Sequence, residues 1–223
     1  MIDAVIFDLD GVLIDSEQAW ACAREQIARE HGGTWSDDAT RAMMGMSSPE
    51  WSRYMRDALG VDMAPEDIAA EVVRRLEQRY REHLPLLAGA REAVEAIAAR
   101  WRLGLASSAN RSVIELVLEL AGIGERFAAT VSAEEVAHGK PAPDVYLEAT
   151  RRLGVQPPRC AAVEDSTNGL RAAAAAGMRL IAIPNARFAP AEQALGLADA
   201  AIGSLEELRP ELLERLARTR RRS

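Results

Sequence analysis

The sequence predicts an α/β fold, in which a doubly wound (Rossmann-like) parallel sheet forms the core and a helical bundle is inserted into it. Short apolar runs alternate with helical patterns over most of the chain, as is typical of βαβ units. The stretch 16–84 differs, because it contains short, charged helical patterns and no convincing strand. We therefore expect a core domain made of residues 1–15 and 85–223 and a helical domain made of residues 16–84.

The first strand is predicted at Ala4–Phe7, an apolar run that a turn signal at Gly11 follows shortly afterwards. A helical pattern then begins after Ser16, which is a possible N-cap. Glycines, among them Gly45 and Gly60, separate the helical patterns that follow. The helices expected in this part of the chain cover 17–30, 36–43, 49–59 and 65–83.

The core resumes at Pro85. From there, apolar runs and helical patterns alternate, and the last two apolar runs are expected near an edge of the sheet. Strands are predicted at 102–108, 128–132, 160–166, 180–184 and 200–202, and helices at 89–100, 112–120, 143–153, 168–176 and 205–216.

Charge and composition exclude several classes of protein. A formal net charge of −7 argues against binding to nucleic acid or to a membrane surface. No apolar run approaches the ~20 residues that span a bilayer, and the strand pattern at the N-terminus predicts no signal peptide. The basic end, RLARTRRRS at 215–223, is interpreted as a frayed, solvated tail. Cys22 and Cys160 lie in unrelated contexts, which predicts a reducing cytoplasm, and we expect a monomer.

Two carboxylates follow the first predicted strand. Asp8 and Asp10 have the period-2 spacing that sends both side chains to the same side of a strand. Close carboxylates without a counter-ion raise each other's pKa, and a bound divalent cation relieves this repulsion. Mg²⁺ suits the pair, because it prefers oxygen ligands and leaves room for a substrate phosphate.

Polar residues also end two further predicted strands. Ser107 and Ser108 end one strand, and Glu164 and Asp165 end another. The carboxyl ends of parallel strands gather at one edge of a sheet, so we expect both pairs to join the two aspartates there. Lys140, in the proline-rich loop GKPAP, supplies a cation. This set suits a phosphoryl group with a metal: the carboxylates hold Mg²⁺, Ser107 and backbone N–H groups bind phosphate oxygens, and Lys140 neutralises the remaining charge.

Four motifs in order carry a resemblance to a known family. They are FDLDGVLIDSE at the start, LASSAN within 103–110, GKPAPDVY at 139–146 and VEDSTNGLRAAAAAGM at 163–178. The chain resembles the haloacid dehalogenase superfamily, on its β-phosphoglucomutase-like and phosphoglycolate-phosphatase-like branch, along essentially its whole length. The helical domain is similar to the family's mobile cap, which implies a lid that excludes water and supplies specificity.

The resemblance implies a role for each matching residue. Asp8 matches the nucleophile, which forms an aspartyl-phosphate, and Asp10 matches the general acid and base. The family's Mg²⁺ would be held by the Asp8 carboxylate, the backbone carbonyl of Asp10 and Asp165, with Glu164 as a ligand or as a supporting group. Ser107 matches the phosphate-binding hydroxyl. Lys140 matches the lysine that stabilises the nucleophile and the transferring group.

Departures from the family pattern bear on the reaction. β-Phosphoglucomutase carries a cap arginine shortly after the glycine that Gly45 resembles and a lysine after its phosphate-binding residue. The nearest positions here are Ser48 and Asn110, the latter followed by Arg111. A mutase must bind a second phosphate, so these departures favour a phosphatase of small phosphorylated metabolites and leave a sugar phosphomutase as the alternative.

Two other functions are weighed against the phosphatase. A true haloacid dehalogenase uses no metal and lacks an acid equivalent to Asp10, which argues against that activity. A signalling module phosphorylated on Asp8 without turnover is compatible with the acids and the lysine. Such a module has no need of a water-excluding lid, and this favours the enzyme.

Several residues have a plainer interpretation. Asp15 is expected in a loop or a helix cap, Ser108 either binds phosphate or lies in a turn, and Asn110 either contacts substrate or, as is preferred, caps the next helix. The histidines lack ligand spacing and are interpreted as structural or surface residues; they are His31, His83 and His138. Met43, Met44 and Met46 with Trp51 are interpreted as apolar core of the helical domain rather than as a substrate pocket.

Overall fold

The computed structural model describes residues 1–43, 46–185 and 189–218, and these residues contain one parallel sheet. Its strands are β1 (Ala4–Phe7), β2 (Arg102–Ser107), β3 (Phe127–Ser132), β4 (Cys160–Glu164), β5 (Arg179–Ala182) and β6 (Ala200–Ala201). They lie in the order β3-β2-β1-β4-β5-β6, and every neighbouring pair is parallel. The predicted doubly wound fold is confirmed. The strand order reverses at β1, and such a point is where open α/β sheets bind ligands.

Five helices lie between β1 and β2 in the described part of the chain, four of them in the predicted helical stretch, and the others alternate with the later strands. The first four are α1 (Glu17–Glu30), α2 (Asp37–Met43), α3 (Ser48–Asp57) and α4 (Pro65–Glu82). The later ones are α5 (Ala90–Ala98), α6 (Arg111–Ala121), α7 (Asp144–Leu153), α8 (Thr167–Ala175), α9 (Glu192–Leu195) and α10 (Pro210–Arg218). Across the described ranges, no helix combines the length and the apolar character that crossing a membrane requires.

Helices cover both faces of the sheet. Val5 and Phe7 of β1 belong to one apolar cluster, which also contains residues of α5, α6 and α10. Ala4 and Ile6 belong to a second cluster, with residues of α7 and α8. Because alternate side chains of a strand point to opposite faces, the two clusters lie on opposite sides of the sheet. This explains why β1 is apolar throughout.

The helices α1 to α4, which we call the helical insert, fold around an apolar stripe. Ile68, Val72, Leu76 and Tyr80 of α4 recur every four residues and are all buried. At the start of α3, the capping box of Ser47 and Glu50 satisfies backbone donors. The apolar residues of the insert join the cluster on the first face of the sheet, so the insert packs continuously with the core.

The two connections to the insert lie side by side. The backbone N–H of Asp15 donates to the carbonyl of Pro85 at 2.8 Å, and the N–H of Leu87 donates to the carbonyl of Leu13 at 3.0 Å. The insert therefore leaves and rejoins the core next to the carboxyl end of β1. This placement puts it over the residues that follow the strand.

Some local predictions were wrong. The single helix expected at 205–216 is a short 3-10 turn, Leu205–Glu207, followed by α10, because Pro210 lacks the N–H that a continuous helix needs and suits the first turn of a new one. The helix α9 was not predicted, since four residues are too few to show a helical period. Ser16 precedes α1 but its side chain makes no capping hydrogen bond. Met44, Gly45 and residues 219–223 of the basic tail lie outside the described residues.

Candidate active site

The carboxyl ends of β1 and β4 bring the predicted acids together. Asp8 directly follows β1, and its backbone N–H donates to the carbonyl of Val163 in β4 at 3.0 Å. Glu164 is the last residue of β4, and Asp165 follows it. One carboxylate oxygen from each of Asp8, Glu164 and Asp165 can be chosen so that all three lie within 4.8 Å of one another. The strand pairing thus concentrates negative charge at the point where the strand order reverses.

Lys140 lies inside this group of acids. Its Nζ donates to Oδ1 of Asp8 at 2.8 Å and to Oε1 of Glu164 at 2.5 Å, and only 4% of the residue is exposed. Burial opposes the charge of the ammonium group, but attraction to Asp8 and Glu164 outweighs it and raises the pKa of Lys140. Lys140 is therefore a permanent cation that holds Asp8 in place.

Glu164 uses both of its carboxylate oxygens within the protein. Oε1 accepts hydrogen bonds from Lys140 and, at 2.7 Å, from the hydroxyl of Tyr146. Oε2 accepts from the backbone N–H groups of Asp165 at 3.0 Å and Ser166 at 3.2 Å, and from the Ser166 hydroxyl at 3.2 Å. These bonds fix Lys140 and the end of β4, and they leave Glu164 poorly placed to bind a metal directly.

Tyr146 is a site residue that the sequence reasoning missed. It lies in α7, is fully buried, and its ring centroid is 5.1 Å from Nζ of Lys140. Burial and the Glu164 charge raise the pKa of its hydroxyl, so it stays protonated and donates. The sequence offered one indication of this role: Tyr146 is the last residue of the motif GKPAPDVY, six positions after Lys140.

Asp165 has a different environment from Glu164. Its carboxylate lies against Gly11, where an added Cβ would be 1.9 Å from Oδ2 and where φ is +74°, so this turn requires glycine. Among the described residues, no hydrogen bond or ion pair engages the Asp165 carboxylate, which lines a cavity. Asp165 is therefore the acid of β4 that is available to a ligand.

The donor set fits a divalent cation. Burial, followed by the Glu164 and Asp10 charges, raises the pKa of Asp8 to about 8 despite the opposing Lys140. Burial and Glu164 likewise raise the pKa of Asp165. Raised pKa values in buried carboxylates mean that the site lacks positive charge, which a cation would supply. Oxygen ligands of this kind suit Mg²⁺.

Asp10 is oriented partly by the helical insert. Its Oδ1 accepts a hydrogen bond from Nε1 of Trp20, in α1, at 2.9 Å. Its Oδ2 lies 3.5 Å from the Ser107 hydroxyl, at the outer limit for a hydrogen bond. Asp8 and Asp10 line the same cavity, although both follow the end of β1 and are not part of the strand.

The two serines after β2 differ in exposure. Ser107 is fully buried, and its Oγ accepts a hydrogen bond from the backbone N–H of Ala109 at 3.0 Å. Ser108 lines the cavity with the acids, and its buried Oγ finds no hydrogen-bond partner in the described part of the chain. The geometry therefore places the free hydroxyl on Ser108, with Ser107 behind it and next to Asp10.

Asn110 lies outside the cavity that contains Asp8. It precedes α6, as the preferred cap interpretation requires, but its side chain makes no capping hydrogen bond. Its Oδ1 accepts from the Ser48 hydroxyl at 2.7 Å, and its Nδ2 donates to Oε1 of Glu134 at 2.6 Å. The cap prediction was wrong in this respect, because Asn110 links α3 of the insert to the core instead.

The cavity lies between the strand ends and the insert. Met43, Met46 and Trp51 line it and also pack in the insert, so the interpretation of these residues as core alone was incomplete. Sequence reasoning assigned no role to three further residues of α1 that line it. These are Glu17, Trp20 and Arg24, whose spacing of three and four places them on one helix face.

Comparison with known proteins agrees with this geometry. A family model described as haloacid dehalogenase-like hydrolase matches residues 2–177. Hexitol phosphatase B of Escherichia coli K12 is 36% identical over 211 residues, which cover 92% of this chain and 93% of that protein. A CbbY variant from Rhodobacter sphaeroides, solved with xylulose-(1,5)bisphosphate, is 30% identical with a TM-score of 0.83, covering 93% and 96% of the two chains. β-Phosphoglucomutase from Clostridium difficile shares the fold, with a TM-score of 0.84, 24% identity and 97% coverage of both chains.

Proposed function

The chain belongs to the haloacid dehalogenase-like hydrolases, and we propose that it is a Mg²⁺-dependent phosphatase that hydrolyses small phosphorylated metabolites through an aspartyl-phosphate on Asp8. One observation carries this proposal. The buried Lys140 bridges Asp8 and Glu164, while Asp165 stays free beside them. The same edge of the sheet therefore carries a nucleophile, a fixed cation and a metal-binding acid. Phosphoryl transfer requires these three groups together.

The first step is attack of Asp8 on the substrate phosphorus. Lys140 binds Oδ1 of Asp8, and Oδ2 accepts no hydrogen bond among the described residues, so Oδ2 is the nucleophilic oxygen. An O–P bond forms as the bond to the leaving oxygen breaks. Lys140 and the Ser108 hydroxyl bind phosphate oxygens around the new bond, and Ser107 supports Asp10 from behind.

The Asp8 and Asp165 carboxylates and the Asp10 carbonyl would hold Mg²⁺. When bound, Mg²⁺ offsets the carboxylate repulsion and the charge of the phosphoryl group. Glu164 supports this arrangement by fixing Lys140 and the backbone of Asp165.

Asp10 moves the protons. It protonates the leaving oxygen in the first step, and in the second step it accepts a proton from the water that attacks the phosphorus of the aspartyl-phosphate. The hydrogen bond from Trp20 orients Asp10 for both transfers. The products are the dephosphorylated metabolite and inorganic phosphate.

We propose that residues 16–84 act as a cap domain and that residues 1–15 and 85–223 form the core domain. Trp20 and Trp51 of the insert line the cavity opposite the acids, so the insert can exclude water from the reacting groups. We further propose that the protein is a cytoplasmic monomer. The free thiols of Cys22 and Cys160 support a reducing compartment.

Replacing Asp10 with asparagine tests the proton transfers. Asp10→Asn is expected to slow hydrolysis of an alkyl phosphate by about 10²–10⁴-fold, because a general acid is lost. p-Nitrophenyl phosphate needs little protonation of its leaving group, so its first step should be slowed less than its second. We therefore expect a burst of p-nitrophenol equal to the enzyme concentration, measured by stopped flow. An equal loss on both substrates without a burst would contradict the assignment.

A screen of phosphorylated metabolites tests the function itself. Purified protein with Mg²⁺ is expected to release inorganic phosphate from sugar and polyol monophosphates, as measured with a colorimetric phosphate assay. Excess EDTA should remove the activity, and restored Mg²⁺ should recover it. Isomerisation of a hexose 1-phosphate that needs a bisphosphate activator and releases no phosphate would instead support the mutase, the activity of the structural neighbour β-phosphoglucomutase. Phosphorylation of Asp8 without turnover of any compound would support the signalling module.

A further inference from the structure

An arginine of the helical insert is buried at the cavity in an unusual environment. The guanidinium carbon of Arg24 lies 4.9 Å from the ring centroid of Trp20 and 4.7 Å from that of Trp51. Only 7% of the residue is exposed, and it lines the cavity that contains Asp8 and Asp10. The electron-rich faces of the indole rings stabilise the nearby cation, which offsets part of the cost of its burial.

The N–H groups of Arg24 have no hydrogen-bond partner among the residues that the structure describes. Its Nε is buried without a hydrogen bond, and across the described parts of the chain no carboxylate lies within ion-pair distance of it. Burial lowers the pKa of Arg24 to about 10 against the opposing charges of Glu17 and Asp10, so the group is still charged at neutral pH. Buried charged donors are normally hydrogen-bonded, so an unpartnered one at a cavity indicates a ligand.

Glu17 supplies an acceptor beside this donor. It lies two helical turns before Arg24 on the same face of α1 and lines the same cavity. Among the described residues, neither a hydrogen bond nor an ion pair joins Glu17 to Arg24. A donor and an acceptor that face one cavity without binding each other suit a hydroxyl group, which can accept from one and donate to the other.

We propose that Arg24 and Glu17 bind hydroxyl groups of the substrate and thereby select phosphomonoesters of polyols or sugars. Arg24 donates to the hydroxyl oxygen and Glu17 accepts the hydroxyl proton in a hydrogen bond. The inference rests on the proposed phosphatase function, and it names the substrate class for that site.

The charges of the cavity favour neutral hydroxyls over a second anionic group. Four acids outnumber two cations among its lining residues, namely Asp8, Asp10, Glu17 and Asp165 against Arg24 and Lys140. Bound Mg²⁺ would bring this set to neutrality, and the phosphate of the substrate then adds negative charge. A second phosphate or a carboxylate near Arg24 would also face Glu17 and be repelled by it.

The test compares Arg24→Gln with the wild type on three compounds in Mg²⁺. Sorbitol 6-phosphate carries a hydroxylated chain, acetyl phosphate carries none, and 2-phosphoglycolate carries a second anionic group. We expect the ratio of kcat/KM for sorbitol 6-phosphate to that for acetyl phosphate to fall about 10- to 100-fold, because a hydrogen bond to a charged donor is lost. Arg29→Gln is the matched control, because Arg29 lies on the exposed face of the same helix and pairs with Glu25; it should leave the ratio unchanged.

Other outcomes separate this inference from the proposed function. An unchanged ratio in folded Arg24→Gln, an equal loss on all compounds, or a selective loss on 2-phosphoglycolate would each overturn the hydroxyl assignment while the phosphatase function stood. If Arg24→Gln does not fold, Arg24→Lys retains the charge but not the fork of N–H donors, and the ratio should fall by a smaller factor. A wild type that hydrolyses none of the compounds would contradict the proposed function. The inference would then be tested by measuring the binding of sorbitol 6-phosphate to the wild type and to Arg24→Gln through the change in tryptophan fluorescence. Equal binding to the two proteins, or no binding to either, would overturn it.

Discussion

Asp8→Asn is expected to abolish phosphatase turnover, with kcat falling by at least about 10⁴-fold, as when the nucleophile of other covalent enzymes is removed. An amide is not a nucleophile, and it cannot form the aspartyl-phosphate. The fold should survive, because asparagine matches aspartate in size and Lys140 keeps its hydrogen bond to Glu164. The measurement is phosphate release together with the thermal unfolding midpoint.

The matched control for this variant is Asp15→Asn. It makes the same chemical change seven residues later, on an exposed side chain outside the cavity. Asp15→Asn should keep both activity and stability near those of the wild type. Mass spectrometry of acid-quenched wild type should locate phosphate on Asp8. Normal turnover by Asp8→Asn, or trapped phosphate on another residue, would contradict the assigned nucleophile.

The acids at the strand ends were predictable because their position depends on local sequence and one topological rule. Asp8 follows an apolar run, Glu164 and Asp165 end another, and parallel strands place such ends together. The separate environments of Glu164 and Asp165 were not predictable. They depend on the hydroxyl of Tyr146 and on which side chain reaches Lys140, both of which are set by packing of α7 against the sheet.

Side-chain contacts between elements distant in sequence were the least accessible to sequence reasoning. On α1 alone, Arg24 resembles any other arginine of a charged helix, and its burial appears only when Trp51 of α3 packs over it. In the same way, Asn110 has the position of a helix cap, but Ser48 lies within 2.7 Å and engages its side chain instead. Both interactions join residues that local pattern does not relate.

Because Glu164 holds Lys140 in position, we expect a substitution at Gly169, which does not line the cavity, to lower the activity. Gly169 lies in the first turn of α8, and a Cβ there would be 1.8 to 2.1 Å from the carboxylate atoms of Glu164. Glu164 is fully buried and bound by Lys140 and Tyr146, so it cannot move aside without breaking those hydrogen bonds. Gly169→Ala should therefore displace Glu164, release Lys140 from its position beside Asp8, and lower kcat by about 10²-fold or more.

The direction in which Gly169→Ala changes the free energy of unfolding also tests this role of Glu164. Glycine to alanine within a helix normally stabilises a protein by up to about 1 kcal/mol. Gly169→Ala is expected to destabilise it by about 1–3 kcal/mol instead, because overpacking and lost hydrogen bonds to a buried carboxylate outweigh the helix propensity. Urea unfolding measures this difference. Gly196→Ala is the control, because the nearest atoms to its added Cβ are 3.5 Å away, and its stability should stay within about 0.5 kcal/mol of the wild type. A Gly169→Ala protein that is both more stable and fully active would show that Glu164 does not hold Lys140 in the catalytic arrangement.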